Sequence, residues 1–298
     1  MIRRPAAGRN SPDLGPGPIP SGPEHDGNPP GSRHTRGRVL LGPGLGRLAI
    51  AILAATLALF IAVPLVALLL HTPPGTLIAT LGQDTARQAL LLSLQTTAIT
   101  LVVVLVFGTP AAYILARWRF PGKRLLDSLV DLPIVVPPAV AGVALLLAFG
   151  RQGLLASQFS AVGLHLSFST AAVVLAQLFV SCPFYVRAAR AGFLAVDRSL
   201  EEASATLGYG GWGTFRRVTV PLALPSLLGG AVLTWARALG EFGATIMFAG
   251  NLAGVTQTMP LAVYLGLESG DLDGAVALSV VLVLVSLAVS LTVRLLGD

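Results

Sequence analysis

The chain has 298 residues, of which 54% are hydrophobic and 11% charged, with a formal net charge of +6 and a mean hydropathy of +0.77. An ordinary soluble domain is about 25% charged, so a chain this apolar cannot hide its surplus in one aqueous core, and lipid is the expected solvent. Its single cysteine, Cys182, excludes an internal disulfide and a CxxC metal site and reads as a small buried apolar residue.

Residues 1 to about 45 are dense in Pro and Gly (Pro16, Pro18, Pro20, Pro29, Pro30, Gly15, Gly17, Gly22) with scattered Arg. Such a segment cannot offset its chain entropy by burial, which predicts a disordered tail. It is too long and proline-rich for a signal-peptide start. No clear cleavage site follows the first apolar stretch, so that stretch is expected to be an uncleaved span. Apolar runs then follow, uncharged except for two residues in the fifth: Leu48–Leu70, Ala89–Ala116, about Leu132–Gly150, about Thr170–Val186, Pro221–Ala249 and Ala275–Val293. Roughly 20 residues cross the hydrocarbon as a helix, so all six are long enough, the fourth only just. Only helices and closed barrels satisfy the backbone in lipid, and these continuous runs lack the alternation of barrel strands. The predicted fold is an all-α membrane domain over 46–298 with six transmembrane helices.

Orientation is read from the basic residues. One side collects seventeen: Arg3, Arg4, Arg9, Arg33, Arg36, Arg38 and Arg47 in the tail, Arg117, Arg119, Lys123 and Arg124 in the second connection, Arg187, Arg190, Arg198, Arg216 and Arg217 in the fourth, and Arg294. The other side has Arg87 and Arg151, and its last loop carries Glu268, Asp271 and Asp273. Both termini are therefore expected in the cytoplasm. The pI near 10.4 is a topology signal and not a nucleic-acid one, because no basic stretch is interleaved with stacking aromatics.

The third run opens Asp131-Leu-Pro-Ile-Val-Val-Pro-Pro. Three prolines remove donors and bend a helix, which either only shapes this span or makes it a mobile hinge. Ser93, Gln95, Thr96 and Thr100 in the second run could line a pore or bond between helices.

The fourth connection reads Glu201-Glu202-Ala203-Ser204-Ala205-Thr206-Leu207-Gly208, nine residues, then Val218-Thr219-Val220-Pro221. Ser199 with Glu202 three residues on predicts a capping box. The helix it starts is expected to run about two turns and stop at Gly208, left-handed in a tightly packed turn. Tyr209, Gly210 and Gly211 predict a sharp turn, and Pro221 fits the first turn of the next helix. A short rigid helix is expected across the cytoplasmic end of the bundle. An ordinary amphipathic loop helix is the bland alternative.

Glu-Ala-Ala, three residues, Gly, nine residues, Ile-x-Leu-Pro is the signature of permease subunits in binding-protein-dependent ABC importers. The chain resembles it at Glu202, Ala203, Gly208, Val218, Val220 and Pro221, with Ser204 for the second alanine and valines for Ile and Leu. The resemblance implies a type I importer permease fold. It also implies that this loop is a coupling helix, carried by Glu202, Ala203, Ser204, Gly208 and Pro221, which docks on a separate ATPase subunit. A P-loop needs Gly-x4-Gly-Lys-Ser/Thr, and the only lysine, Lys123, precedes Arg124. The nucleotide site is therefore expected on another polypeptide.

The fifth run holds two ionisable residues, Arg237 and Glu241. A charge at mid-bilayer costs roughly 2.5–3.5 kcal/mol on insertion scales, so each needs a reason. Four apart, they are expected on one helix face, neutralising each other either as a structural pair or beside a translocation path. Gly240 and Gly243 flank Glu241 and would permit close approach or a bend, as a gate needs. The stretch Ala-Leu-Gly-Glu-Phe-Gly-Ala-Thr-Ile-Met-Phe-Ala-Gly-Asn (238–251), with Thr256-Gln-Thr-Met-Pro-Leu-Ala-Val-Tyr264, resembles the molybdate/tungstate branch of these permeases. Sulfate permeases share its Gly-Glu-Phe-Gly core.

The resemblance covers roughly residues 48–298. It implies a homodimer in lipid with two cytoplasmic ATPase subunits and an extracytoplasmic oxyanion-binding protein, and neither cofactor nor metal. A secondary transporter driven by an ion gradient would predict inverted repeats and no docking loop. A membrane enzyme is disfavoured because there is no His-Glu-x-x-His, and His25, His34, His71 and His165 all lie in the tail or loops.

Overall fold

A computed structural model describes residues 43–161, 163–164 and 166–297. The predicted disordered tail lies outside the described residues up to 42. Every regular element among the described residues is helical. The chain divides into two units at Ala55/Thr56, within α1 (Pro43–Leu70), which is uncharged after Arg47 and carries Pro64.

In the second unit, α2 (Pro74–Gly82) precedes α3 (Asp84–Arg117). At 34 residues, α3 is about 50 Å long. It outreaches a ~30 Å hydrocarbon core, so part of it extends beyond the apolar layer. Next come α4 (Lys123–Val135), α5 (Pro138–Phe149) and the short α6 (Ala156–Ala161). The predicted third span is not one rod: α4 and α5 meet at a 117° bend. The residue before a proline is pushed out of the helical region. Val136 and Pro137 are accordingly extended, at ψ 128° and 134°.

The fourth predicted span becomes α7 (Thr170–Ala195), capped by the Ser169 hydroxyl, which accepts from Ala172 N. Hydropathy ended it too early, at Val186, because Arg187 and Arg190 belong to the helix. They pair with α4, Arg190 Nη1 to Asp127 Oδ1 at 2.8 Å and Arg187 Nε to Asp131 Oδ1 at 3.5 Å.

After α8 (Arg198–Thr206), the short α9 (Gly211–Thr214) runs through a π turn, Phe215–Thr219, into α10 (Val220–Leu239). The predicted fifth span to Ala249 breaks after Leu239, and α11 (Gly243–Ala249) is a separate helix. The chain closes with α12 (Met259–Ser269) and α13 (Leu272–Gly297). Among the described residues five helical runs (α1, α3, α7, α9–α10 and α13) are long and apolar enough to cross a bilayer alone, and the α4–α5 pair qualifies together as a sixth.

Helix α7 is the hub. Its Tyr185, Val186, Ala189 and Phe193 pack with Val104, Ala112 and Leu115 of α3 and Ala223 and Leu227 of α10. One end of the same helix, at Ala172, Val173, Ala176 and Val180, packs with Ala141 and Leu145 of α5 and Ala244 and Phe248 of α11. Lipid supplies no hydrophobic drive between helices, so close backbone approach at small residues has to. A Cβ on Gly192 would stand 2.5 Å from Ser226 Cβ, and one on Gly230 2.8 Å from Ala188 Cβ. The α7–α10 seam thus depends on glycine.

Candidate functional site

The loop singled out by sequence folds into a clamped helix. Its N-cap is Asp197 and not Ser199: the Asp197 carboxylate accepts from the Ser199 amide at 2.9 Å, and α8 begins two residues earlier than the predicted capping box implies. That amide bond holds the Asp197 carboxyl below the usual carboxylate range. At the other end Tyr209 N donates to Ser204 O at 3.2 Å and Gly208 N to Ala205 O at 3.0 Å, the paired bonds of a Schellman stop. Gly208 has φ +87°, as expected, but the turn is not tightly packed: nothing lies within 4 Å of a Cβ built there. Backbone handedness, and not space, makes this position glycine.

What fixes α8 to the bundle is Glu201, which the sequence reading passed over for its neighbour. Glu201 Oε1 accepts from Arg117 Nη2 at 3.0 Å and from Thr219 Oγ1 at 2.7 Å. Arg117 Nη2 also donates to Val196 O at 3.0 Å. On the same face, buried Ser204 places its hydroxyl 3.0 Å from that of Thr214. One small helix is therefore bonded to the end of α3, to α9 and to the residue preceding α10. Glu202, Ala203 and Leu207 face out, Leu207 77% exposed, and Trp212 of α9 is 74% exposed. Trp212 stacks on Phe215, and the Arg217 guanidinium lies 4.7 Å from the Tyr209 ring centroid. Two adjacent glutamates on a helix project about 100° apart, so only one of them shares the face of Ser204. The spacing Glu201–Ser204 was the available signal.

Pro221 sits in the first turn of α10, though that helix has no free start. The nine residues before Val218 are largely helical, and the chain reaches the proline through the π turn, whose wider hydrogen bond runs from Val220 N to Phe215 O.

The second cluster lies at the break between α10 and α11. Arg237 Nη2 and Glu241 Oε2 are 2.7 Å apart, with Glu241 1% exposed and Arg237 28%. The pair forms as predicted, but not on a continuous helix face, since α10 stops at Leu239. Glu241 Oε1 instead accepts from the Ala244 amide at 2.8 Å, satisfying a free donor in the first turn of α11 and complementing its dipole. The carboxylate thus bridges the two halves of a broken helix. Gly243 is held by neighbours: a Cβ would meet Pro138 Cβ at 2.9 Å. From the opposite direction, a Cβ on Gly142 would meet Ala244 O at 2.7 Å. The first turns of α5 and α11, each directly after a helix break, pack against each other. Gly240 has open space, with only Ala236 O within 4 Å of a Cβ. Nearby in sequence, the buried hydroxyls of Thr234 and Thr245 lack a hydrogen-bond partner.

The polar residues of α3 divide. Ser93 Oγ accepts from Met259 N at 2.7 Å, and Thr100 Oγ1 donates to Gln177 Oε1 at 3.2 Å. Thr96 bonds back to Leu92 O at 2.8 Å. Those three are buried, while Gln95 is exposed.

A bundle of membrane-crossing helices around α7, a capped helix bonded across its end, and two interlocked breaks within the spans define a transport permease. Residues 106–298 match the model described as the inner membrane component of binding-protein-dependent transport systems, and the chain belongs to that family. The molybdenum transport system permease protein ModB of Mycobacterium tuberculosis is 45% identical over 234 residues, 78% of this chain and 88% of that one. The sulfate transport system permease protein CysW of Synechococcus elongatus is 42% identical over 186 residues, 62% of this chain and 65% of its own. Among solved structures, a bacterial ABC transporter that imports the acidic polysaccharide alginate superposes with a TM-score of 0.67 at 16% identity, over 84% of this chain and 94% of its own. That likeness shows the fold alone, the type I importer permease.

Proposed function

We propose that this chain is the permease of an ATP-driven molybdate importer, working as a homodimer with two cytoplasmic ATPase subunits and an extracytoplasmic oxyanion-binding protein. The observation that carries the reading is the clamped α8. Its inner face is bonded through Glu201 and Ser204 to α3, α9 and the start of α10, while Glu202, Ala203 and Leu207 face out. A push delivered to the outer face by an ATPase subunit therefore passes to two long helices at once. Helix α10, 20 residues long, carries the motion about 30 Å to the Arg237–Glu241 pair.

There, displacing α10 strains the bond that the Ala244 amide donates to Glu241 and the contact of Gly243 with Pro138. The interlocked breaks act as the gate, and Arg237 supplies positive potential for a divalent oxyanion. The one-sided distribution of basic residues supports a cytoplasmic position for both termini and for α8. Molybdate is chosen over tungstate and sulfate on the likeness to molybdenum permeases. The sulfate relative sets the control.

The test is reconstitution of the chain with its ATPase and binding protein in vesicles, following uptake of labelled molybdate with tungstate and sulfate as competitors. ATP-dependent uptake that survives collapse of ion gradients, resists a hundredfold excess of sulfate and falls to background in Gly208→Val supports the reading. Uptake driven by an ion gradient without ATP would refute the importer assignment. Equal competition by sulfate would refute the substrate.

A further inference from the structure

We infer that the hollow between the end of α3, the start of α4 and α7 is a binding site for the phosphate group of an anionic phospholipid. A cavity of about 570 Å³ is lined there by Arg119, Phe120, Lys123, Arg124, Asp127 and Arg190. Four cations face one carboxylate, and Asp127 is already engaged by Arg190 Nη1 at 2.8 Å. Lys123 Nζ donates to Trp118 O at 3.1 Å. Arg119 and Arg124 form no ion pair among the described residues. The Arg190 Nε is buried with no acceptor, and a buried guanidinium donor without a partner points to an anion that completes the site.

The rule that basic residues gather on one side of a membrane accounts for the sidedness of these cations. It does not account for their convergence on a concavity, nor for the orphan Nε. The neighbouring surface selects a lipid as the source of the phosphate. Helix α4 has two faces. Asp127 and Asp131 turn to the arginines of α7, while Leu125, Leu129 and Leu132, at helical spacing, are 73%, 60% and 49% exposed. Trp118, 58% exposed, stands where α3 ends, in the manner of an interfacial aromatic. A diacyl lipid whose phosphate enters the basic hollow has its headgroup at the level of Trp118, in the leaflet that the apolar face of α4 also meets. Basic pockets between membrane helices take such headgroups.

The experiment uses the full chain in nanodiscs of phosphatidylcholine doped with phosphatidylglycerol. Lipid that survives detergent exchange is counted by native mass spectrometry, with thermal unfolding as a second readout. The wild type should retain phosphatidylglycerol over phosphatidylcholine and unfold at higher temperature in its presence. Arg119→Gln with Arg124→Gln, both at exposed positions, should lower retention about fivefold per cation, ~25-fold together. Arg216→Gln with Arg217→Gln should leave it unchanged.

Equal retention of the two lipids by the wild type overturns the inference, as does an equal loss in the Arg216/Arg217 control. Protection of the wild type by inorganic phosphate in pure phosphatidylcholine discs, matching that by phosphatidylglycerol, would assign the hollow to a soluble anion. Displacement of the retained lipid by the ATPase subunit would make it a protein contact. Either result also overturns the inference. It rests on the chain spanning a membrane and not on its cargo, so its failure leaves the import reading intact, and the converse holds.

Discussion

Replacing Glu241 by glutamine isolates what its charge does at the break between α10 and α11. Glutamine keeps an oxygen for the Ala244 amide, now 2.8 Å away, but leaves the Arg237 guanidinium without its counterion at 2.7 Å. Breaking a fully buried pair from one side costs ~3–5 kcal/mol. Arg237 is 28% exposed, so water screens part of that, and a loss of ~2 kcal/mol is expected. Arg237→Gln with Glu241→Gln removes both charges and should return stability to within ~1 kcal/mol of wild type, a coupling of at least ~1.5 kcal/mol. The assay is reversible unfolding in mixed micelles, followed by tryptophan fluorescence, with Trp235 two residues from Arg237 as reporter. Strictly additive single effects would refute the pair as a coupled unit. Uptake of labelled molybdate then separates scaffold from path: the well-folded double variant should import at least tenfold more slowly. Wild-type uptake by that variant would reduce both residues to scaffolding.

Gly208→Val puts a β-branched residue at φ +87° and should cost ~1–2 kcal/mol locally. ATP hydrolysis by the assembled complex should persist without transport, and normal coupled uptake would remove α8 from the coupling path. Gly243→Ala sets a methyl 2.9 Å from Pro138 Cβ and should destabilise by ~1–3 kcal/mol. An unchanged unfolding midpoint would show that the two breaks are not interlocked. The Asp197 carboxyl is held below its ordinary value by the Ser199 amide. Its contribution to α8 is thus present above the unfolded pKa and lost only as pH falls through the lower folded one. Relative to the intrinsic rate at each pH, hydrogen exchange of the α8 amides should therefore stay slow at neutral pH and accelerate below about pH 4. Acceleration beginning near pH 6 would contradict the cap. A reporter fused after Arg294 should behave as cytoplasmic and one within 268–273 as external, and the reverse would invert the proposed orientation.

Much of this molecule is legible in one dimension because lipid imposes a one-dimensional rule. A helix that must satisfy its own backbone in hydrocarbon needs a long uncharged run. Helices α1, α3, α7, α10 and α13 could therefore be placed from apolar runs alone, and handedness alone placed Gly208 at the stop of α8. The proline string from Pro133 to Pro138 announced a bend. Sequence also brought Arg237 to Glu241, because two charges in an apolar run have few partners.

Tertiary structure decided whatever depends on a partner distant in the chain. Helix α7 continues past Val186 because Asp127 and Asp131 of α4 neutralise Arg190 and Arg187, which hydropathy counts as a loop. Glu201, and not Glu202, holds α8, since Arg117 arrives from a helix 84 residues away in sequence. The fifth span divides at Gly240 although apolar residues continue on both sides of the break. Glu241 turns to cap α11, and Gly243 admits Pro138 from the other break. Local pattern sets which segments are helices. Where they end, and which faces meet, is set by long-range charge pairing and backbone approach, and the order of residues does not record those distances.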